Sequence, residues 1–219
     1  MSVAIENFVK AIYNNDDNDS NNTKPGSIAK KLGISNAAAT DMAKKLALKD
    51  LLHYQKYQKL ELTEKGEKMA LNVIRKHRLW EALLFKMFDM SMHEIHREAE
   101  LLEHQTSNFL ADKISAYLGD PKFDPHGDPI PNANGEITTK DTSIALTNTK
   151  EGRTYIISRL VSDDKEFFDF CGQNGLKYGN VISVSKQFSN NKMTQIIINN
   201  NTILLNQDFT KIIYVNEIN

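Results

Sequence analysis

The dominant hydrophobic period of this chain changes in DPKFDPHGDPIPNANGEITTKDTSIALT, residues 120–147. Before that stretch, one short hairpin-like segment apart, apolar residues recur at the three- and four-residue spacing of helices; after it come short β-branched runs separated by turns. A chain divided in this way is expected to fold as a mainly α N-terminal two-thirds followed by a small all-β unit. The latter part of the stretch, rich in Pro, Gly and Asn, reads as a linker. Beyond it, RTYIISRLV, NVISVSKQF, MTQIIINNN, TILLNQ and KIIYV predict a small antiparallel barrel of roughly 70 residues, near the low end of independent stability.

The N-terminal part is more specific. Residues 3–14 place Ile5, Phe8, Val9, Ile12 and Tyr13 on one helical face, and the polar NNDDNDSNNTKPG that follows reads as a loop. In SIAKKLGISNAAATDMAKKLALKDLL, residues 27–52, a short helix over 28–32 meets a turn at Gly33, and a second helix runs over 36–49. Ser35 is placed to cap that second helix, because its hydroxyl can accept an otherwise unpaired backbone N–H. LLHYQKYQKLELT then alternates around a polar turn near residues 56–58, which predicts a β-hairpin. Two helices, a glycine turn and a hairpin in that order make a winged helix-turn-helix, and the charge agrees. Residues 1–78 hold 14 Lys and Arg against 9 Asp and Glu, a surplus of +5, whereas the whole chain has net charge −1. A basic module on an acidic remainder suits nucleic acid, although a solvated surface produces the same imbalance.

Other classes are disfavoured. No run of about 18 apolar residues exists to cross a membrane, and MSVAIENFVK lacks the basic and apolar regions of a secretory signal. Cys171 is the single cysteine, so no internal disulfide forms; this suits a reducing cytoplasm. Residues 64–88 read as one or two helices. A further helix of about 92–118 is bounded by a capping box, Ser91 with Glu94, and by a stop at Gly119 and Pro121.

That last helix carries the chemistry. In HEIHREAELLEHQ, residues 93–105, the apolar stripe Ile95, Ala99 and Leu102 is accompanied by His96, Glu100 and Glu103 at i, i+4, i+7, with His104 beside them. His77 and Glu81 form an i, i+4 pair on the preceding helix. Imidazole with carboxylate suits Mn²⁺, Fe²⁺, Co²⁺, Ni²⁺ or Zn²⁺. If the two helices pack together, one site would use His77, Glu81 and His96, and a second would use Glu100, Glu103 and His104. Hydrogen-bonded core histidines among solvated acids are the plain alternative, but burying several carboxylates without a cation is costly. A hydrolytic metal centre is the competing function. The chain has no HExxH, no nucleophile elbow and no phosphate-cradling glycine loop, so an enzyme is not expected.

The order of winged helix, RKHRLWE (75–81), HREAELLEH (96–104), PHGDPIP (125–131) and a small C-terminal barrel resembles the diphtheria toxin repressor family of metal-dependent transcriptional repressors. The resemblance covers nearly the whole chain and implies a DNA-binding domain over 1–74, a helical metal-binding and dimerisation domain over 75–141, and an SH3-like domain over 148–219. It implies a primary metal site of Asn7, Glu100, Glu103 and His104 and an ancillary site of His77, Glu81 and His96. Some manganese-responsive members have a secondary site matching Asp124 and His126, with Glu81 and an acid from the barrel, for which Asp163 or Asp164 stands here. Phe167 falls where iron-type barrels carry a ligating glutamine.

Several positions shape the expected metal. Glu100 stands where iron-type members carry cysteine, and a hard oxygen shifts preference toward Mn²⁺. Asn7 replaces a methionine or aspartate, and Lys10 stands where short manganese-type members place a second-metal glutamate. For DNA, the resemblance puts Ser35, Ala37, Thr40 and Asp41 toward the major groove and Lys44, Lys45, Lys56 and Lys59 near phosphates. The chain thus reads as a cytoplasmic homodimer that binds double-stranded operator DNA, with Mn²⁺ or Fe²⁺ as corepressor. Zn²⁺, Co²⁺ or Ni²⁺ would substitute in vitro, and neither a membrane nor a small-molecule substrate is expected. The alternative within DNA binding is a metal-independent winged-helix regulator.

Overall fold

The computed structural model describes residues 2–15, 23–162, 164–190 and 192–218. Most of the loop expected after the first helix, and Asp163, lie outside them. The chain divides into two compact units. The first comprises Met1–His77, Glu100–Lys113 and Pro131–Thr138; the second comprises Arg78–Ala99, Ile114–Ile130 and Thr139–Asn219.

In the first unit, α1 (Val3–Asn15), α2 (Pro25–Lys31) and α3 (Asn36–Ala47) are followed by the antiparallel pair β1 (Leu52–His53) and β2 (Glu61–Leu62). The apolar faces read from the sequence meet in one core. Phe8, Val9 and Ile12 of α1 pack with Ile28 and Ala29 of α2, Ala39, Ala43 and Leu46 of α3, and Leu51, Leu52 and Leu60 of the hairpin. Gly33 links α2 to α3 at φ +63°, a left-handed conformation that a side chain disfavours. Ser35 then caps α3, its hydroxyl accepting the Ala38 N–H at 3.1 Å.

Residues 64–88 form a single helix, α4 (Glu64–Met87). The helix expected over 92–118 is two helices, α5 (Met92–Leu102) and α6 (Asn108–Leu118). Its capping box holds: Ser91 N–H donates to Glu94 Oε2 at 2.8 Å and Glu94 N–H to Ser91 Oγ at 3.3 Å. The break has a local cause. Thr106 Oγ1 donates to the Leu102 carbonyl at 2.7 Å, closing the end of α5. Ser107 Oγ accepts the Leu110 N–H at 3.1 Å, and its carbonyl accepts the Ala111 N–H, opening α6. Glu103 and His104 therefore sit in the turn after α5 rather than on its face.

The C-terminal part of the second unit is a six-stranded antiparallel sheet of order β3-β8-β4-β5-β6-β7. Its strands are β3 (Ile144–Ala145), β4 (Thr154–Leu160), β5 (Val181–Phe188), β6 (Met193–Ile198), β7 (Asn201–Asn206) and β8 (Ile213–Glu217). Five stand where alternation placed them. The β6–β7 turn uses Asn199 and Asn200 at φ +49° and +64°, the paired left-handed residues of a type I′ hairpin. Two helices not expected from the sequence lie between strands: α7 (Lys165–Gln173), capped by Asp164, and α8 (Gln207–Ile212), capped by Asn206. They close the core, with Phe167, Phe168 and Cys171 of α7 packed among Tyr155, Ile157, Val184, Ile196 and Val215. Bulges in β4 and β5 bend the sheet.

Candidate metal centres and nucleic-acid interface

In the first unit three helices bring side chains to a cluster of charges. Glu6 and Lys10 lie one turn apart on α1, His77 is on α4, Glu100 is on α5, and Glu103 and His104 lie in the turn beyond. Ligand atoms of Glu100, Glu103 and His104 all lie within 4.8 Å of one another. The Glu103 side chain is fully buried; its Oε2 is 2.7 Å from His77 Nδ1 and 2.7 Å from Lys10 Nζ. Lys10 Nζ also donates to Glu100 Oε1 at 2.5 Å. His104 presents Nδ1 to Glu6 Oε2 at 2.6 Å and Nε2 to Glu103 Oε1 at 3.2 Å, a contact too poorly aligned to satisfy that oxygen as a hydrogen bond. Asn7 Oδ1 is also buried and accepts no hydrogen bond.

This chemistry fits a divalent cation. Three carboxylates share the space with one ammonium, and a buried carboxylate is stable only beside positive charge or strong donors. The unfilled acceptor atoms on Asn7 and Glu103 are hard oxygens, and His104 adds an imidazole. Of the residues expected in the primary site, Glu100, Glu103 and His104 come together here, and Glu6, which sequence reasoning missed, joins them through His104. The signal was available, since Glu6 and Lys10 are an i, i+4 pair flanking Asn7. His77, expected in the ancillary set, makes its buried pairing with Glu103.

The second unit holds another group, Glu81, His96 and His126, whose ligand atoms also lie within 4.8 Å of one another. His96 Nδ1 is 2.9 Å and His126 Nε2 3.4 Å from Glu81 Oε1, and Glu81 is almost fully buried. Both ring nitrogens of His126 are buried, and its Nε2 faces Glu81 without a well-aligned hydrogen bond. Burial alone would lower the His126 pKa, but Glu81, Asp124 and Asp128 outweigh it and hold the ring above the usual imidazole value. The backbone fixes His126, whose carbonyl accepts the Leu160 N–H at 2.8 Å. Gly127, at φ +91°, lets the chain approach β4 so closely that a Cβ there would lie 2.0 Å from the Ser158 carbonyl oxygen.

Asp124, expected as a ligand beside His126, has a structural task. Its Oδ1 accepts the N–H groups of His126 and Asp128, each at 2.9 Å, and its Oδ2 faces Arg78 at 3.7 Å. Burial, then the Glu81 and Asp128 charges, pushes its carboxyl well above the usual carboxylate range. Asp164 caps α7 by accepting the Glu166 N–H at 2.9 Å. Phe167, in the glutamine-matching position, is buried in the sheet core.

On α3 the buried residues Ala39, Ala43 and Leu46 leave the opposite face open. Ser35, Ala37, Asp41, Lys44 and Lys45 are exposed there and Thr40 is half-buried. Thr40 Oγ1 donates to the Asn36 carbonyl at 2.8 Å. Lys44 Nζ lies 3.8 Å from Asp41, which offsets the negative charge on this face. On the hairpin, Lys56 stands over the Tyr57 ring and Lys59 pairs with Glu61 at 3.0 Å.

Comparison with known proteins agrees with this arrangement. Residues 1–60 match the profile described as iron dependent repressor, N-terminal DNA binding domain, and residues 63–132 the iron dependent repressor metal binding and dimerisation domain. The chain is 30% identical to the solved structure of ScaR with bound Cd²⁺, covering 98% of this chain and 99% of that one with a TM-score of 0.82. The chain belongs to the iron-dependent repressor family. Within that family it is similar to the diphtheria toxin repressor of Corynebacterium efficiens, 25% identical over 187 residues, 81% of this chain and 79% of that one. It is also similar to a manganese-dependent transcriptional repressor solved in complex with manganese, with 28% identity, 98% and 100% coverage and a TM-score of 0.89. Residues 144–217 match the FeoA domain, in keeping with the SH3-like expectation for this repressor's C-terminal sheet.

Proposed function

We propose that this iron-dependent repressor family member is a homodimeric transcriptional repressor whose binding to double-stranded operator DNA requires Mn²⁺ or Fe²⁺, and that it controls metal-uptake genes. The observation that carries the reading is the group Glu100, Glu103 and His104, built around the buried Glu103, in the same compact unit as the helix-turn-helix. Asn7 on α1 offers a further oxygen to that site. Glu81, His96 and His126 would form a second site. A bound divalent ion would supply positive charge to offset the carboxylates. With Asn7 and Glu103 engaged, α1 and the turn after α5 would be tied together, favouring one placement of α3 for DNA. Glu100 in place of a thiolate supports Mn²⁺ over softer ions, and Zn²⁺, Co²⁺ or Ni²⁺ would serve in vitro.

The domain limits we assign are 1–74 for DNA binding, 75–141 for metal binding and dimerisation, and 148–219 for the SH3-like part. Ala37 and the Thr40 methyl suit thymine methyl contacts, with Ser35 and Asp41 at the groove and Lys44, Lys45, Lys56 and Lys59 near phosphates. In the first unit, exposed Leu101 and Phe109 support a pairing surface for a second copy. No described helix is long and apolar enough to cross a membrane; we place the protein in the cytoplasm, acting on DNA with no small-molecule substrate and no catalytic step.

Selection of genomic duplexes by the protein in excess Mn²⁺, repeated in chelator, tests the proposal. Duplexes retained in Mn²⁺ and lost in chelator are expected. Equal retention in both would instead favour a metal-independent winged-helix regulator.

A further inference from the structure

Lys10 brings a fixed positive charge into the first-unit cluster from α1. Its Nζ lies 2.5 Å from Glu100 Oε1, 2.7 Å from Glu103 Oε2 and 3.4 Å from His77 Nδ1, and its side chain is 12% exposed. Two of those three partners are carboxylates assigned above to the primary metal site. An ammonium that close to both oxygens neutralises them much as a metal ion would. A divalent ion taken up by the same oxygens would face a like charge at short range, beside the fully buried Glu103, where solvent screens it poorly. The two cations therefore compete for one pair of acids. Lysine suits a reversible role of this kind: its charge is a single point on a flexible four-carbon stem, without the bidentate fork by which arginine holds a carboxylate.

We propose that Lys10 is a tethered counter-ion of the metal site, holding Glu100 and Glu103 together in the metal-free protein and swinging out when a divalent ion binds. It thereby sets the metal concentration at which the repressor responds. This rests on the metal-regulated reading above. Only the fraction of molecules with Lys10 withdrawn accepts metal directly, so apparent affinity falls in proportion to that fraction. The residue also gives α1 two states of attachment to the acid cluster: through its own lysine when metal is absent, and through Asn7 when metal is present.

The test uses the full-length, metal-stripped protein and Cd²⁺ as a diamagnetic probe. Lysine ammonium ¹H–¹⁵N spectra of the wild type are expected to show one slowly exchanging signal that is missing in Lys10→Gln. That signal should disappear in step with Cd²⁺ occupancy. Calorimetric titration is expected to show Lys10→Gln binding Cd²⁺ at least about tenfold more tightly than wild type, as removal of a state populated at roughly nine-tenths requires. The proposal is overturned if the Lys10 signal persists unchanged in Cd²⁺-saturated wild type, a readout that needs no variant to fold, or if Lys10→Gln binds no more tightly. Glu103→Ala separates the two levels: if it loses no Cd²⁺ site, the metal reading fails, whatever Lys10 does.

Discussion

His77 Nδ1 stands 2.7 Å from Glu103 Oε2, and both side chains are shielded from solvent. The contact joins α4 to the turn after α5 and supplies one of the partners that make a buried carboxylate tolerable. His77→Ala should therefore weaken the metal-free protein itself. Leaving a buried acceptor with one partner fewer costs about 1 to 3 kcal/mol. Urea unfolding in chelator reads this directly, and an unchanged midpoint would show the pairing to be incidental.

The group Glu81, His96 and His126 predicts a separate ion. His126→Ala and His96→Ala should each lower the divalent metal retained after dialysis by one ion per chain while leaving the Glu103-dependent ion in place. Metal counting by atomic emission decides it; an unchanged count in both variants means the group is a hydrogen-bonded cluster of the second unit.

Ser107 decides where α6 begins, so its loss should be felt as a lost helix cap. Ser107→Ala is expected to destabilise by about 1 kcal/mol and Ser107→Gly by only a few tenths. Equal effects of the two in denaturant unfolding would indicate that the hydroxyl bond to Leu110 contributes little.

Much of this was legible in the residues, for local reasons. The capping box at Ser91, the turn at Gly33 and the cap at Ser35 depend on neighbours a few positions away, and each is found where sequence placed it. The break between α5 and α6 was also local. Yet the run of helical spacing from Ile95 onward masks the Thr106–Ser107 signal, so spacing alone puts Glu103 on the helix face with Glu100. The α7 helix was hidden differently: FFDF reads as an apolar run, and only packing in the sheet core shows Phe167 and Phe168 on one helical face. His77 marks the deeper limit. Its spacing to Glu81 identifies a face, but its partner Glu103 lies 26 positions away and is chosen by tertiary packing. Lys10 and Glu6 likewise find their partners, Glu100 and His104, only in the fold.

Cys171 is 2% exposed, and burial pushes its thiol up to about 12. At pH 8 only about one thiol in ten thousand would be ionised, so alkylating reagents should leave the native protein unlabelled. One equivalent should react after denaturation. Rapid native labelling would contradict this placement of α7 in the sheet core.

The central claim is that metal at the acid cluster governs DNA binding, and a single titration addresses it. Mn²⁺ is added to chelator-stripped protein with a fluorescent duplex recovered from the genomic selection, and anisotropy is followed for wild type and Glu103→Ala. Wild type should pass from weak to tight binding as Mn²⁺ rises, while Glu103→Ala stays weak over the same range. Wild-type affinity that is the same with and without Mn²⁺, or a Glu103→Ala curve that overlays the wild-type curve, would contradict the account.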